Sequence, residues 1–275
     1  MSNVIVIGGG AAGMMAAYAA ALCGHQVKLM EQNEKLGKKI FITGKGRCNI
    51  TNAGDMDNLF ANVMSNPKFL YSAFYTFNNE QMVGFLEEYG LKMKVERGNR
   101  VFPVSDHSSD VIATLRKALE DKNVEVFLHT KVDHLLVTEK QIKGVGLSDG
   151  REVSADAVIV ATGGFSYQTT GATGDGYRFA EKTGHKLVQR TPSLVPFEIK
   201  EDWVKELQGL SLRNVSVSIY NGKKKLYEDF GEMLFTHFGV SGPLILSASG
   251  MIKAKQFENE LELYIDLKPA LTVEQ

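Results

Sequence analysis

Apolar runs near the start of the chain predict a strand, a helix and a second strand. Residues 4–7 are consecutive apolar residues without a charge, which is typical of a strand buried on both faces. Small residues and methionines follow over residues 11–23 and predict a helix that ends at Gly24. Residues 26–30 return to an apolar strand. This order predicts the start of an α/β fold with a Rossmann-like domain.

The next part of the chain alternates between helical and extended patterns. Residues 66–90 predict two helices, the second of them capped by Asn78 or Asn79. Residues 92–102 predict a hairpin, and helical periodicity resumes at about residue 109.

A change to short strands follows, and it predicts a β-meander. The strands of this meander are predicted over residues 124–128, 132–138 and 142–147. The meander leads to another buried strand, residues 155–160, which ends in the small-residue turn 161–164. A short helix is predicted over residues 177–183.

Two prolines within residues 191–196 suit neither a helix nor a central strand, so they predict a domain boundary. We place the first domain at residues 1–192 and the second at residues 193–275. The second domain reads as β-rich, because apolar residues alternate over 215–219 and 261–267.

Composition and charge exclude several classes of protein. The 275 residues carry a formal net charge of −1 with acids and bases interspersed, which argues against a nucleic-acid or membrane surface. The two cysteines form no disulfide framework, so a reducing, cytoplasmic location is expected. The sequence has no Ser-His-Asp order, no paired carboxylates and no metal-ligand spacing, and no metal is predicted.

The segment between the first strand and the first helix, residues 8–13, fits the pattern G-x-G-x-x-G. Gly8 allows a tight turn, Gly10 lets the backbone approach a pyrophosphate, and Gly13 lets the helix pack closely. Glu31 lies 18 positions after Gly13, close to the roughly 20 residues expected for an acid that binds ribose hydroxyls. The pattern predicts a bound dinucleotide. The alternative is a glycine-rich turn in an ordinary α/β protein.

Residues 37–52 follow this acid and are too rich in Gly, Thr and Asn for a regular element. We expect this loop to fold over the dinucleotide with Lys39 or Arg47 facing phosphate; the alternative is a solvated basic loop. Cys48 is either a redox thiol beside a flavin or, because it has no C-x-x-C partner, a packing residue.

Candidate catalytic residues are His237 and Arg47. His237 is the only histidine after the predicted boundary, and it is either a packed residue beside phenylalanines or a group that transfers a proton. Residues 170–176 open a predicted helix and are rich in glycine. They either hold a substrate carboxylate or the flavin, or form a flexible turn.

The meander decides between NAD and FAD as the dinucleotide. NAD dehydrogenases use helical crossovers throughout their Rossmann unit, whereas a meander inserted before the last strand is usual in the FAD domain of flavoprotein reductases and oxidases. FAD is therefore the predicted cofactor, and an NAD-dependent dehydrogenase that uses the single fingerprint is the alternative.

Together the motifs resemble one family, the FAD-dependent oxidoreductases grouped with aminoacetone oxidase and bacterial 3-dehydro-bile acid reductase. The resemblance covers essentially the whole chain and rests on residues 8–13, 44–52, 100–105, 161–164, 171–176 and 235–243. It implies a FAD domain of the two-dinucleotide-binding type with an inserted β-rich domain. The cofactor-binding residues that we predict are Gly8, Gly10, Ala12, Gly13, Glu31, Gln32, Lys39, Thr43, Gly44, Gly46, Arg47, Cys48, Asn49, Val132, Ala161, Thr162, Gly163 and Gly164.

The resemblance also implies an oxidoreductase that passes electrons from a hydride donor to an organic acceptor or to oxygen. No second G-x-G-x-x-G follows a predicted strand, so NAD(P)H is expected to bind transiently as a donor, beside a small-molecule substrate. The alternative from another class is a non-catalytic flavin-binding scaffold that recruits a partner such as RNA.

One departure from the family concerns the last part of the sequence. Proteins of this fold return to the FAD domain after the insert and end with a strand and a G-[DE] turn, and residues 196–275 contain no such pattern. Residues 271–275 read as the entry to a helix. We therefore expect that the C-terminal part of the FAD domain is missing and that the flavin site is incomplete.

Overall fold

The computed structural model describes residues 1–252, 256 and 260–271, so the predicted helix entry lies outside the described residues except for Leu271. The chain divides into two compact units, residues 1–187 and 188–275. The domain boundary placed after residue 192 stays a prediction. Among the described residues, no helix is long and apolar enough to cross a bilayer.

The first unit, every residue of which is described, is built on a parallel sheet. Its strands are β1 (Asn3–Ile7), β2 (Gln26–Met30), β6 (Glu125–Phe127) and β10 (Ala157–Val160). They lie in the order β10-β1-β2-β6, and each neighbouring pair is parallel. This is the Rossmann-like arrangement that the sequence predicted.

β1 is buried on both faces, as its uninterrupted apolar run predicted. Val4 and Val6 point into one core and Ile5 and Ile7 into another, because successive side chains of a strand point to opposite faces. Fully burying each such side chain contributes roughly 1.5–3 kcal/mol to folding. The strand therefore anchors both layers of the first unit.

Helices cover one face of this sheet, and the meander with one helix covers the other. The helices of the first unit are α1 (Ala11–Leu22), α2 (Lys38–Ile42), α3 (Met56–Ala61), α4 (Tyr71–Thr76), α5 (Asn79–Glu88), α6 (Ser108–Asp121) and α7 (Asp175–Lys182). α1, α5 and α6 pack on the face of Val4 and Val6, whereas Phe179 of α7 packs with Ile5 and Ile7. Asn78 caps α5 in a capping box with Gln81, which confirms one of the two predicted caps.

The meander consists of different strands from those that the sequence predicted. Its strands are β7 (Val132–Thr138), β8 (Gln141–Leu147) and β9 (Glu152–Ser154). The prediction that residues 124–128 begin the meander is wrong, because β6 pairs in parallel with β2 and places Glu125 opposite Lys28. A short extended segment fits a parallel or an antiparallel neighbour equally well, so its partner depends on the packing of the whole chain.

The prediction that residues 37–52 lack regular elements is also wrong. They contain α2, a 3-10 helix (Thr43–Gly46) and β3 (Thr51–Asn52), which pairs with β5 (Arg100–Pro103) of the predicted hairpin with β4 (Met93–Glu96). Distant backbone groups hold this segment. The Gly37 N–H donates to the Gly9 carbonyl at 2.9 Å and the Ile50 N–H to the Val101 carbonyl at 2.9 Å. Local composition does not reveal these tertiary hydrogen bonds.

The second unit is β-rich in its described part, as its alternating patterns predicted. Its elements are β11 (Phe197–Glu198), β12 (Ser211–Asn221), β13 (Lys224–Thr236), β14 (Gly239–Ser241), α8 (Pro243–Met251) and β15 (Glu262–Asp266). The described strands form an antiparallel sheet in the order β11-β14-β13-β12-β15. Val215, Val217 and Ile219 of β12 pack with Leu244 and Ile245 of α8 in a core of their own.

Candidate functional site

A cavity of about 450 Å³ lies within the first unit where β1, β2 and β10 end. Its volume falls in the range of about 300–1,000 Å³ that is usual for ligand pockets. Ligands of open α/β sheets bind at the carboxyl ends of the strands, which is where this cavity lies. Most of its lining comes from residues 7–12, 30–33, 38–40, 43, 48–50, 130–132, 161–163, 170–172 and 175.

Two glycines of the fingerprint are required by the protein's own backbone. Gly8 has a φ of +106°, and a Cβ there would lie 2.6 Å from the carbonyl oxygen of Ala161. A Cβ on Gly13 would lie 1.7 Å from the carbonyl oxygen of Gly8. Gly10 is different, because its φ is −81° and its Cβ would meet no protein atom within 4 Å. Gly10 lines the cavity, so its missing side chain leaves room for a ligand.

α1 begins directly after Gly10, and its first N–H groups have no partner within the helix. No side chain among the described residues caps this end, and Ala11 and Ala12 line the cavity. The helix therefore presents free N–H groups and the positive end of its dipole to the cavity, which is a suitable site for a phosphate.

The carboxylate of Glu31 is buried at this edge, with 7% of the residue exposed. Its Oε2 accepts a hydrogen bond from the Gly9 N–H at 2.6 Å. Its Oε1 accepts from the backbone N–H of Asn33 at 2.8 Å and from the Asn33 side-chain amide at 2.6 Å. An ionised carboxylate has about four acceptor positions, so roughly one remains for a ligand hydroxyl.

Gly9 and Asn33 are site residues that the sequence reasoning missed. A Cβ on Gly9 would lie 2.3 Å from Leu36 Cδ2 and 3.0 Å from Glu31 Oε2, although the pattern G-x-G-x-x-G leaves this position free. The available signal was the run of three consecutive glycines, residues 8–10, of which Gly9 is the middle one. Asn33, two positions after the predicted ribose acid, is a polar residue with no pattern of its own.

Residues 32 and 33 also connect the end of β2 with the segment 170–175. Gln32 Nε2 donates to the Gly171 carbonyl at 2.8 Å, and Asn33 Nδ2 donates to the Thr170 carbonyl at 3.1 Å. Residues 170–172 line the cavity. The geometry supports the interpretation of this segment as part of a ligand site and not as a free turn.

The loop of residues 43–49, part of which lines the cavity, has an unusual backbone conformation. Thr43, Cys48 and Asn49 line the cavity. Four residues of the loop have φ between +55° and +85°, in the left-handed region that non-glycine residues rarely adopt: Gly44, Lys45, Gly46 and Cys48.

The Cys48 thiol is buried, and burial raises its pKa above the ordinary value, while a hydrogen bond with Thr43 lowers it by a smaller amount. A protonated thiol is a weak nucleophile. Both Cys48 and the exposed Cys23 are free. The environment of Cys48 favours the packing interpretation over the redox one.

The two basic residues predicted to face phosphate lie in different places. Lys39 lines the cavity, and its Nζ donates to Ser166 Oγ at 3.3 Å. Arg47 does not line the cavity, because its guanidinium pairs with the carboxylates of Glu96 and Asp106. Two nearby carboxylates compensate the charge of Arg47, so of the two basic residues predicted to face a phosphate the geometry favours Lys39.

The turn after β10 completes the cavity wall. The Ala161 N–H donates to the Ile7 carbonyl at 2.8 Å and extends the pairing of β1 with β10. Thr162 Oγ1 accepts from the Gly176 N–H, at the start of α7, at 3.0 Å. Thr162 thereby joins the turn to the helix that follows the segment 170–175.

The structure brings 13 of the predicted cofactor-binding residues together in the cavity lining: Gly8, Gly10, Ala12, Glu31, Gln32, Lys39, Thr43, Cys48, Asn49, Val132, Ala161, Thr162 and Gly163. The predicted residues outside the lining are Gly13, Gly44, Gly46, Arg47 and Gly164. Gly13 and Gly44 are instead required by close contacts with neighbouring backbone atoms. A Cβ on Gly44 would lie 2.9 Å from the Asn49 nitrogen.

The other candidate catalytic residue, His237, lies in the second unit. It is exposed between β13 and β14, and its ring meets the Phe238 ring edge to face with centroids 4.8 Å apart. The described contacts of His237 are those of a surface aromatic pair.

With this geometry established, the chain can be compared with known proteins. It matches the family described as HI0933-like protein Rossmann domain over residues 2–259. The chain belongs to this family. The predicted resemblance, the α/β fold class with its Rossmann-like FAD-binding domain, and FAD as the cofactor are confirmed.

Curated relatives of this HI0933-like protein carry two kinds of name. This chain is 32% identical over 278 residues to the 3-dehydro-bile acid delta(4,6)-reductase of Clostridium scindens, and the match covers 100% of this chain and 66% of that protein. It is 30% identical over 256 residues to the ribosomal RNA dihydrouridine synthase of Escherichia coli, covering 93% of this chain and 62% of that protein. The chain therefore spans about two thirds of the length of these relatives.

Among solved structures, Mycobacterium smegmatis Sdh1 in complex with UQ1 matches this HI0933-like protein with a TM-score of 0.53. The identity is 23%, over 78% of this chain and 45% of that one. At this identity the likeness concerns the fold alone.

The residues of the cavity fit a dinucleotide such as FAD. The fitting features are the uncapped N-terminus of α1, the space at Gly10 and the acceptor position left on Glu31. All of them lie at the carboxyl ends of β1 and β2, where sheets of this type bind dinucleotides.

Proposed function

We propose that this chain is the FAD-binding part of an oxidoreductase that transfers a hydride from a donor to an organic acceptor. The observation that carries the proposal is the cavity at the end of β1, where α1 points its free N–H groups and Glu31 its carboxylate toward the same space. A bound flavin would supply the redox chemistry, by accepting a hydride and passing electrons on.

The residues of the cavity divide the binding of FAD among them. The N-terminus of α1 and the backbone at Gly10 would hold the pyrophosphate, and Glu31 would accept a ribose hydroxyl. Lys39, on the loop side, places a positive charge within the lining. Val132 and the turn at residues 161–163 would close the cavity against water, because they line it from the meander and from β10.

The donor is proposed to be NAD(P)H that binds transiently, or an organic substrate. The sequence offers a single G-x-G-x-x-G after a strand, and that one serves the cavity described above. A reduced nicotinamide would therefore bind on the surface of the holoprotein, without a Rossmann unit of its own.

The names of the relatives favour one class of acceptor. A 3-dehydro-bile acid Δ4,6-reductase and a dihydrouridine synthase are both named for adding hydrogen to a carbon–carbon double bond that is conjugated with a carbonyl group. We extend this shared chemistry to the present chain as a proposal. Oxygen is the alternative acceptor.

A small molecule is the favoured substrate, and RNA is the second candidate. The dihydrouridine synthase relatives favour RNA. The net charge of −1 argues against it, because binding to a phosphate backbone depends on a basic face. The expected absence of nucleic acid stays a prediction for this reason.

The test is a spectroscopic titration of the purified protein. The protein reconstituted with FAD is expected to be yellow and to lose its flavin absorbance when NADH or NADPH is added without oxygen. Reoxidation is then followed with three acceptors: 4-androstene-3,17-dione, a uridine-containing RNA oligonucleotide, and oxygen.

Each result distinguishes one hypothesis. Bleaching followed by reoxidation with the enone supports the proposal, and reoxidation by the oligonucleotide alone supports RNA modification. A protein that binds FAD but is reduced by neither nicotinamide nor organic donors would be a scaffold. A protein that stays colourless with FAD while NADH gains fluorescence on binding would be the NAD-dependent alternative.

A further inference from the structure

Arg47 belongs to a compact set of two cations and two anions, which we call the Arg47 network: Arg47, Lys94, Glu96 and Asp106. The Arg47 guanidinium lies 2.6 Å from Asp106 Oδ1 and pairs with Glu96 Oε1. Lys94 Nζ lies 2.7 Å from Asp106 Oδ2 and 3.5 Å from Glu96 Oε1. Each carboxylate is thus shared by both cations.

An aromatic ring also contacts the guanidinium of Arg47. The Arg47 Cζ lies 4.2 Å from the centroid of the Phe102 ring, within the range of a cation–π contact. Single surface ion pairs contribute little to stability, but a shared network with a cation–π contact restricts the arginine in several directions at once. These contacts join the Arg47 side chain to three residues at once.

The partners of Arg47 all come from the hairpin and the turn after it. Glu96 ends β4, Phe102 lies in β5 and Asp106 follows β5. Arg47 itself lies in the loop 43–49, whose Thr43, Cys48 and Asn49 line the cavity. The network thus ties the cavity loop to a β-hairpin that is 49 to 59 positions away in sequence.

The loop needs such an external attachment because of its backbone. Lys45 and Cys48 are non-glycine residues with φ of +58° and +59°. Such residues persist in this region only where the surrounding structure over-determines their conformation. Arg47, with a φ of −89°, lies between the left-handed residues and carries the side chain that reaches the hairpin.

We propose that Arg47 is a positioning residue, which holds the loop 43–49 in the shape that surrounds the cofactor by binding Glu96 and Asp106, and does not itself contact a phosphate. This inference rests on the proposed binding of FAD in the cavity. It assigns a role to the hairpin β4–β5, which lies outside the fingerprint and lines none of the cavity.

The test compares variants that remove the positive charge of Arg47 with variants that remove the negative charges of Glu96 and Asp106. The variants are Arg47→Met, Glu96→Gln, Asp106→Asn and the combination of Arg47→Met with Glu96→Gln. Arg151→Met is the matched control, since Arg151 forms an exposed ion pair with Asp149 in the turn before β9. Two quantities are measured on the full chain: the Kd of added FAD, and amide hydrogen exchange of residues 43–50 without FAD.

If the Arg47 network positions the loop, each single variant raises the Kd of FAD by about fivefold and speeds exchange of residues 43–50. The double variant then resembles the single variants, because both changes break the same contact. Arg47→Lys, which keeps the charge but loses the planar fork, is expected to restore part of the affinity.

A direct phosphate contact predicts the opposite pattern and would overturn the proposal. Glu96→Gln and Asp106→Asn would then free Arg47 and leave the Kd of FAD unchanged or lower it, while Arg47→Met alone raises it. If the parent chain binds no FAD, the proposed function fails, and the exchange measurement still decides the positioning role. Unchanged exchange in all variants contradicts it.

Discussion

The turn at residues 8–13 and the loop at residues 43–49 line the same cavity but are stabilised in different ways. The turn carries its own requirements, because Gly8 needs a φ of +106° and Gly13 must leave room for the Gly8 carbonyl. The loop contains non-glycine residues in the left-handed region and is attached to Glu96 and Asp106. The conformation of a segment can therefore depend mainly on its own residues or mainly on contacts with distant ones. Substitutions within the segment should disturb the first kind, and substitutions of the distant partners the second.

The largest effect is expected from Gly13→Ala, which tests the self-encoded turn. The added methyl would lie 1.7 Å from the Gly8 carbonyl oxygen, so the helix must move away from the turn. We expect a loss of about 3 kcal/mol in the free energy of unfolding, measured by denaturant titration. Gly10→Ala is the matched control, because its Cβ meets no protein atom.

Gly10→Ala is expected to change the unfolding free energy by less than about 1 kcal/mol while it raises the Kd of FAD about tenfold or more. Its methyl group would occupy the space that the ligand needs. Equal losses of stability in Gly10→Ala and Gly13→Ala would contradict the distinction between a glycine needed for packing and one needed for a ligand.

Glu31→Gln is expected to have the next largest effect, since Glu31 joins the turn to the end of β2. The single amide oxygen of a glutamine cannot accept from the Gly9 N–H and from both donors of Asn33. One buried N–H donor therefore loses its acceptor. We expect about 2 kcal/mol lower unfolding free energy and weaker FAD binding. Glu34→Gln is the control, because this acid is half-exposed and pairs only with Lys38 among its described ion pairs.

A pH titration separates the turn from the loop. Arg47 holds the pKa of Glu96 below its ordinary 4.5, and Lys94 and Arg47 hold the pKa of Asp106 below its ordinary 3.8. A carboxyl with a lowered folded-state pKa adds stability above its unfolded pKa, and this stability is lost as the pH falls through the folded pKa.

As the pH falls below the ordinary pKa values of Glu96 and Asp106, residues 43–49 are therefore expected to lose protection from hydrogen exchange before residues 8–13 do. The exchange rates are corrected for intrinsic rates before they are compared. The turn has no titrating group among its own residues and meets one carboxylate, that of Glu31, through the Gly9 N–H, so Glu31→Gln is titrated in parallel. Simultaneous loss of protection in both segments would show that the loop has no separate electrostatic attachment.

The smallest effect concerns the thiols. Burial raises the pKa of Cys48, whereas Cys23 is exposed, so iodoacetamide at pH 8 is expected to alkylate Cys23 first. Mass spectrometry of tryptic peptides measures the order, and added FAD should slow the reaction of Cys48 further because Cys48 lines the cavity. Faster reaction of Cys48 would support the redox interpretation.

Site residues were predicted best from the sequence where a residue stands at a known spacing from a local motif. Glu31 was found because an acid at the end of the second strand has a known spacing from the fingerprint, and it is buried in the cavity wall. Asn33, which donates twice to Glu31, has no such signal. Arg47 was predicted, as the alternative to Lys39, to face a phosphate, and its ion pairs with Glu96 and Asp106 were not foreseen because these partners lie far away in the sequence.

The sequence by itself determined the buried strand β1, the glycine turn, the helix α1 and the position of Glu31, since apolar periodicity and glycine spacing act over a few neighbouring residues. The tertiary structure alone decided that residues 125–127 join the parallel sheet, that residues 38–52 contain α2 and β3, and that Arg47 binds the hairpin. Strand partners and ion pairs join residues that are distant in sequence. Their choice depends on which surfaces remain free after the local elements have packed, and no local pattern carries that information.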